Sequence, residues 1–409
     1  MQYNFDKIID RTGSGDLKHG VLFKRYGDAN LLPLWVADMD FETPYFITDA
    51  LRKRLEHSLF GYTVEPEELW PSVTKWIHYH HQWKVEREWL TYIPGIVKGI
   101  GMAINVFSQP GDTIIIQPPV YHPFRLTPEG NSRNVAYNPL LPREDGLYDM
   151  DFEGLENIIS NLPSTSSTYH AILILCNPHN PAGICWSRDT LIHLAKICHK
   201  NNILVISDEI HCDMALFGNK HIPFASVSND AAEISITFQA PSKTFNIAGI
   251  VSSYAIVPNP YIRQRFYSWL TANELNEPDI FAPIATVAAY TQGEQWRQQM
   301  LDYVEKNVLF VEDYINTHIN TDGNLYIKAI RPQASFLVWL DCRGLGLNHE
   351  QLTDFFIKKA HLALNDGEMF GIGTTPNRGA GFMRLNVATP RSILEEALTR
   401  ISHSLHTTH

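Results

Sequence analysis

The chain has little of what marks several protein classes. Its five cysteines, Cys176, Cys185, Cys198, Cys212 and Cys342, are odd in number and form no C-x-x-C pair. That argues against a disulfide scaffold, a zinc ribbon and a thioredoxin-type site, and fits a reducing cytosol. Basic charge is scarce: 33 Lys+Arg face 44 Asp+Glu, a formal net charge of −11. Affinity for a nucleic-acid backbone comes from clustered cations, so no nucleic-acid partner is expected. A small anionic ligand stays compatible with this balance, because backbone N–H groups hold such a group locally. Long apolar runs are missing too: Ala171 to Cys176 is among the longest, far short of a membrane span. The opening MQYNFDKIIDRTGSGDLKHG has no apolar stretch of the secretory type. No membrane partner and a cytoplasmic location are expected. No internal repeat or low-complexity segment is visible.

What is present is ordinary globular material. The 409 residues are 44% hydrophobic and 19% charged, which excludes disorder and exceeds one ordinary core. Residues 113–117, 171–175, 203–207, 234–238 and 251–256 are short, mostly apolar and rich in β-branched residues. They read as strands covered on both faces. Residues 187–201 read as a helix with Leu191, Leu194, Ala195 and Ile197 or Cys198 on one face. Such alternation predicts an α/β fold with a mostly parallel sheet. Farther on, 294–316 reads as a long helix through Trp296, Met300, Val304 and Val308. Residues 336–340 and 383–387 read as strands of a smaller α+β unit, closed by a helix over 392–405. We therefore expect an N-terminal arm (1–44) packed on the small unit, a large domain (45–285) and a small domain (286–409).

In such sheets functional residues gather at the carboxyl ends of strands. Asp208 follows one strand, where an acid can keep a cationic ring nitrogen protonated; by itself it reads more readily as a helix cap. Asn180 stands in the turn Asn177-Pro178-His179-Asn180-Pro181-Ala182-Gly183, which would fix its amide. Lys243, in Pro241-Ser242-Lys243-Thr244-Phe245-Asn246, lies between apolar runs, where desolvation makes an amine useful for a Schiff base or as a base. Ser242 beside it can donate to a phosphate. Ile96 and Val97 open a helical run after Gly95, and amides there suit an anion. Tyr121, after another strand, offers a face for a ring. Each has a bland alternative: a surface lysine, a structural turn, a packed aromatic. His78, His80 and His81, among 18 histidines, match no metal-ligand spacing and are expected on a solvated helix face, with no metal site. Trp35 to Phe41 reads equally as pocket wall or as arm packing.

The order of these motifs is what carries weight. N-P-x-N-P-x-G, S-D-E-I-H and P-S-K-T-F-N in sequence make the chain resemble the fold-type I pyridoxal-phosphate enzymes, the aspartate-aminotransferase-like superfamily, over nearly its whole length. Trp35-Val36-Ala37-Asp38-Met39-Asp40-Phe41, Phe60-Gly61-Tyr62-Thr63 and Ala240–Gly249 are similar to the PatB/MalY group of cystathionine β-lyases, or C–S lyases. The resemblance implies pyridoxal 5′-phosphate as cofactor, held by Lys243 as a Schiff base. Asp208 would pair with the ring nitrogen, Asn180 and His211 would meet the phenolic oxygen, and Tyr121 would stack. Ile96, Val97 and Ser242 would hold the phosphate, with Tyr62 arriving from the second chain of a homodimer with shared active sites. Arg384 would clamp the substrate carboxylate, with Ala37 and Asn180 beside it. Lys243 would act as base, and Tyr121 or Tyr62 would assist proton transfer to sulfur. The implied substrate is a small sulfur amino acid, L-cystathionine or a related cysteine S-conjugate, cleaved to pyruvate, ammonia and a thiol. Three departures stand out: His211 replaces a frequent tyrosine, residues 246–253 contain no phosphate-binding Arg, and Ala240 replaces a hydroxyl residue found in some relatives. An aminotransferase and a regulatory protein retaining the fold are the competing readings.

Overall fold

The computed structural model describes residues 2–321 and 326–406. A seven-stranded sheet runs in the spatial order Leu90–Ile93, Ser253–Ile256, Ser235–Gln239, Ile203–Asp208, Ala171–Cys176, Thr113–Ile116, Asn134–Tyr137. The five strands from Ser235–Gln239 to Asn134–Tyr137 are parallel. Ser253–Ile256 runs against both of its neighbours. The reason lies in the link before it. Residues 240–252 form turns and no helix, so the chain makes no crossover and returns beside the strand it just left. The sheet is thus mostly parallel, with this one reversal.

Burial explains the strands. All six residues of Ile203–Asp208 are buried, and so are all six of Ala171–Cys176. Each fully buried aliphatic side chain contributes roughly 1.5–3 kcal/mol. Ile203, Leu204, Val205 and Ile206 together offset the several kcal/mol that a buried carboxylate at Asp208 costs. The helix Arg188–Lys200 follows its expected pattern, with Ser187 capping it by accepting from the Thr190 N–H at 3.1 Å. Leu90–Ile93 and Asn134–Tyr137 are strands that the pattern did not reveal. The second is an edge strand, partly exposed, and its apolar signal is correspondingly weak.

A second, antiparallel sheet orders Lys328–Ile330, Leu337–Asp341, Phe382–Asn386 and Asn365–Asp366. The helices Glu294–Tyr314 and Arg391–His406 belong to the same part of the chain. Leu32–Pro33 of the N-terminal arm pairs with Leu362–Ala363. One apolar cluster, containing Trp76, Phe245, Trp296 and Met383, links both sheets' surroundings. Gly183 closes the Asn-Pro turn against this second part. Its φ is +66°, a β-carbon there would lie 2.5 Å from Pro332 Cβ, and its carbonyl accepts from the Gln333 and Ala334 N–H groups. No helix among the described residues is long and apolar enough to cross a membrane.

The expected solvated face of Leu69–His81 needs correction. His78 is exposed, but His80 and His81 turn inward beyond Trp76. His80 packs on the Trp76 ring at 4.1 Å, and His81 Nε2 meets Asp213 Oδ1 at 3.0 Å, where Trp76 Nε1 also donates. An inward-facing acid on another segment reversed the reading, and sequence spacing carries no sign of it. His81, Asp213 and Cys212 bring potential ligand atoms within 4.8 Å of one another, but hydrogen bonds already engage that carboxylate oxygen.

The arm is fixed by buried charge. Lys18 is fully buried, with Nζ 2.8 Å from Asp40 Oδ2, while Arg11 reaches Asp40 at 2.8 Å and Asp38 at 3.0 Å. Removing one partner of such a set strands the others. Lys18→Met is expected to destabilise the arm by about 3–5 kcal/mol. The check is hydrogen exchange: the Leu34 and Asp40 amides should exchange much faster, and unchanged protection would overturn the claim.

Candidate active site

The carboxyl ends of the parallel strands open on a cavity of about 300 Å³. Its wall includes Ala37, Ile96, Val97, Tyr121, Cys176, Asn180, Asp208, His211, Ser242, Lys243 and Ser252. Of the residues singled out from the sequence, nine therefore meet at one place: Ala37, Ile96, Val97, Tyr121, Asn180, Asp208, His211, Ser242 and Lys243.

Lys243 follows the strand Ser235–Gln239 and sits in a chain of turns. Its Nζ donates to the Ala37 carbonyl at 2.6 Å. Burial pulls its pKa from the usual lysine value down to about 8, with Arg384 adding to the effect and Asp38 and Asp208 opposing it. A neutral amine is therefore accessible near neutral pH. Asp208 is the last residue of its strand, which runs one residue beyond the expected 203–207, and its Oδ1 accepts from the Ile210 N–H at 3.1 Å. Burial raises this carboxyl to about 7, against the Ile210 hydrogen bond and Lys243. The group is ionised cheaply only when a cation arrives beside it.

His211 is buried, and its Nδ1 has no partner. Burial first, then Lys243 and Arg384, lower it to about 3, so the imidazole is neutral. Asn180 accepts from Arg384 Nη1 at 2.9 Å through Oδ1, which leaves its NH2 as a donor. Arg384 does not line the cavity directly but stands behind Asn180. Nη2 donates to the Trp35 carbonyl at 3.1 Å, its Nε is buried without a partner, and its charge centre lies 4.9 Å from the Phe370 ring centroid. Burial lowers it to about 10, still a cation at neutral pH. It forms no ion pair with a carboxylate among the described residues.

The helix Ile96–Phe107 begins after Gly95, whose φ of +113° suits glycine and which provides no side-chain cap. Its first N–H groups are open to an anion. Ser252 faces the same cavity with a buried hydroxyl that lacks a partner. Sequence reasoning missed it, because only residues after strands were read. Ser253–Ile256 runs antiparallel, so the residue before that strand reaches the carboxyl end of its neighbours. Trp35 to Phe41 proves to be wall and packing at once: Ala37 lines the cavity, while Asn246 and Asn386 grip the backbone on either side. Tyr62 stands apart, fully exposed in a groove with Phe60 and residues 276–280. One chain by itself does not bring it to this cavity.

These residues fit pyridoxal phosphate. A partnerless neutral imidazole, a carboxyl poised to ionise, an uncapped helix start and an orphaned serine hydroxyl supply, in one cavity, contacts for ring and phosphate. The comparisons with known proteins agree. The model of the family described as aminotransferase class I and II matches residues 30–401. The curated Cystathionine beta-lyase PatB of Bacillus subtilis is 42% identical over 98% of this chain and 100% of its own length. A PLP-bound putative aminotransferase of Clostridium difficile superposes with a TM-score of 0.92 at 40% identity, over 99% of this chain and all of that one. Cystalysin of Treponema denticola, which contains pyridoxal 5′-phosphate, gives 0.91 at 33% identity over the full length of both chains. The fold is that of the fold-type I pyridoxal-phosphate enzymes, and the chain belongs to the aminotransferase class I and II family.

Proposed function

We propose that the protein is a pyridoxal-phosphate-dependent carbon–sulfur lyase acting on L-cystathionine or a related cysteine S-conjugate. The observation that carries the reading is Lys243 and Asp208 on the wall of one cavity, with Arg384 bonded to Asn180 behind that wall, in a chain 42% identical to a cystathionine β-lyase. Lys243 would hold the cofactor, Asp208 its ring nitrogen, and Asn180 and His211 its phenolic oxygen. Tyr121 would stack on the ring. The Ile96 and Val97 amides, with Ser242 and Ser252, would bind the phosphate, in place of the arginine absent from 246–253. When bound, the cofactor supplies a sink for the electron pair left at the substrate Cα.

The chain's own groups do the rest. Arg384 holds the α-carboxylate in a planar, bidentate grip, with Asn180 keeping the guanidinium in place. Neutral Lys243 removes the Cα proton. The Cβ–S bond then breaks and its electron pair leaves with sulfur. Burial keeps the Tyr121 phenol protonated, which suits it to give that sulfur its proton. Water completes the release of pyruvate and ammonia. The five cysteines are free, in keeping with a cytoplasmic setting. The exposed run of Leu59, Phe60, Tyr62 and Val64 supports a homodimer in which Tyr62 enters the partner's site.

Purified holoenzyme given L-cystathionine and no keto acid should release pyruvate and thiol in equal amounts, and Lys243→Ala should release neither. Turnover only after a keto acid is added would instead make the protein an aminotransferase. Lys243 also sets a pH dependence. Its pKa of about 8 in the folded protein means the reactive neutral amine is lost as pH falls through 8. The rate of cofactor uptake by apoprotein, followed by visible absorbance, should rise with pH with a midpoint near 8; a midpoint near that of an ordinary lysine, ~10.4, would refute the assignment. Mixing Tyr62→Ala with Lys243→Ala should recover about a quarter of wild-type activity, because half the dimers are mixed and each mixed dimer holds one intact site. No recovery would place Tyr62 outside the partner's chemistry.

A further inference from the structure

Among the described residues, Arg384 is not the only guanidinium near the proposed substrate site without an acidic partner. Arg25 belongs to the short helical segment Leu22–Tyr26 of the arm. Its charge centre lies 4.4 Å from the Trp35 ring centroid and 5.5 Å from that of Tyr26. Nη2 donates to Asn365 Oδ1 at 3.3 Å and approaches Met369 Sδ at 3.9 Å. Asn365 in turn donates to the Trp35 carbonyl at 2.7 Å, the same oxygen that accepts from Arg384. Among the described residues only neutral groups therefore bond the two cations, joined through one amide and one carbonyl. Arg25 is close enough to help depress the pKa of Arg384.

His122 stands beside them. Its ring lies 5.1 Å from Tyr121 and 6.2 Å from Phe370, the ring over which Arg384 sits. Its Nδ1 is buried without a partner. Burial, then Arg384, Arg25 and Arg125, push it down to about 4, so it adds no cation but keeps a polar edge. The carboxylates of the surroundings are engaged elsewhere. Asp366 lies 3.5 Å from His349 Nε2, and Glu129 pairs with Arg125. Two guanidiniums kept close with no carboxylate paired to either among the described residues are costly in the free protein, and two anionic groups on one ligand relieve that cost. Arg384 is buried and Arg25 is exposed, so they read the inner and outer ends of a molecule entering from solvent.

We propose that Arg25, assisted by His122, is the second anion-reading residue of the substrate site, which selects cysteine S-conjugates whose sulfur substituent ends in a carboxylate. The assignment rests on the lyase reading for the identity of the inner end, where Arg384 takes the α-carboxylate. Stacking on Trp35 holds the planar guanidinium of Arg25 ready for a bidentate contact.

The test compares S-(2-carboxyethyl)-L-cysteine with S-propyl-L-cysteine, which has nearly the same length and no terminal charge. Wild-type holoenzyme should favour the carboxylate by about tenfold or more in kcat/KM, the range of one hydrogen bond to a charged group. Arg25→Met should bring the ratio close to one, and Arg25→Lys should restore part of it. A ratio that Arg25→Met leaves unaltered, or a wild-type preference for the propyl compound, overturns the assignment. Calorimetric titration of Lys243→Ala protein, with and without Arg25→Met, reads the same two ligands in the absence of turnover. If wild type releases no pyruvate from either compound while the calorimetric preference persists and depends on Arg25, the lyase reading fails and the anion site stands. Equal Kd values for both ligands overturn the anion site whatever the turnover.

Discussion

A lysine amine held against a neutral oxygen is the constraint on which this site depends. Lys243 donates to the Ala37 carbonyl, an acceptor that offers a hydrogen bond without fixing the proton on nitrogen. A carboxylate in that position would hold the amine charged. Because Ala37 belongs to the arm, the site exists only while the arm stays seated. Asn386 donates to the Val36 and Asp38 carbonyls from the smaller sheet. Asn246, three residues beyond the lysine, donates to the Met39 and Phe41 carbonyls and accepts from the Met39 N–H. It takes φ of +53°, a conformation asparagine tolerates better than most residues. The Lys18–Asp40–Arg11 set then locks the outer side.

Around that amine the protein holds charge it does not neutralise. Asp208 and Arg384 are both buried, and neither has an ionic partner within salt-bridge distance among the described residues. His211 is buried with an orphaned nitrogen. In an ordinary core these would be defects of several kcal/mol. Here the dense apolar strands beneath them supply the stability, and under the proposed function the unmatched groups would set what binds: a cationic ring nitrogen at Asp208 and a carboxylate at Arg384. Such preorganisation means little has to move when the bound groups arrive.

Much of this was legible in the sequence. The strands ending at Cys176, Asp208 and Gln239 announce themselves by short buried apolar runs, and Asp208 at one end and Asn180, His211 and Lys243 beyond the ends follow from them. Three features were not legible. Ser252 lies before a strand, and only the strand's reversed direction brings it to the site. His80 and His81 looked solvated until Asp213, from another segment, met His81 and Trp76 of the same helix, with His80 packed on the Trp76 ring. Arg25 is an unremarked arginine in the arm until Trp35 and Asn365, 330 residues apart in the chain, fix it near Arg384.

The sequence by itself determined the class of fold, the family resemblance and the set of reactive side chains, because strand periodicity and the order of motifs are local properties. The tertiary structure alone decided which reactive groups stay unpaired. Whether an arginine, a carboxyl or an imidazole finds a partner depends on segments hundreds of residues away, as the contacts Arg384 to Trp35 and Lys243 to Ala37 attest. Burial, which moves Lys243 to about 8 and Asp208 to about 7, is likewise a property of the packed chain and not of any motif.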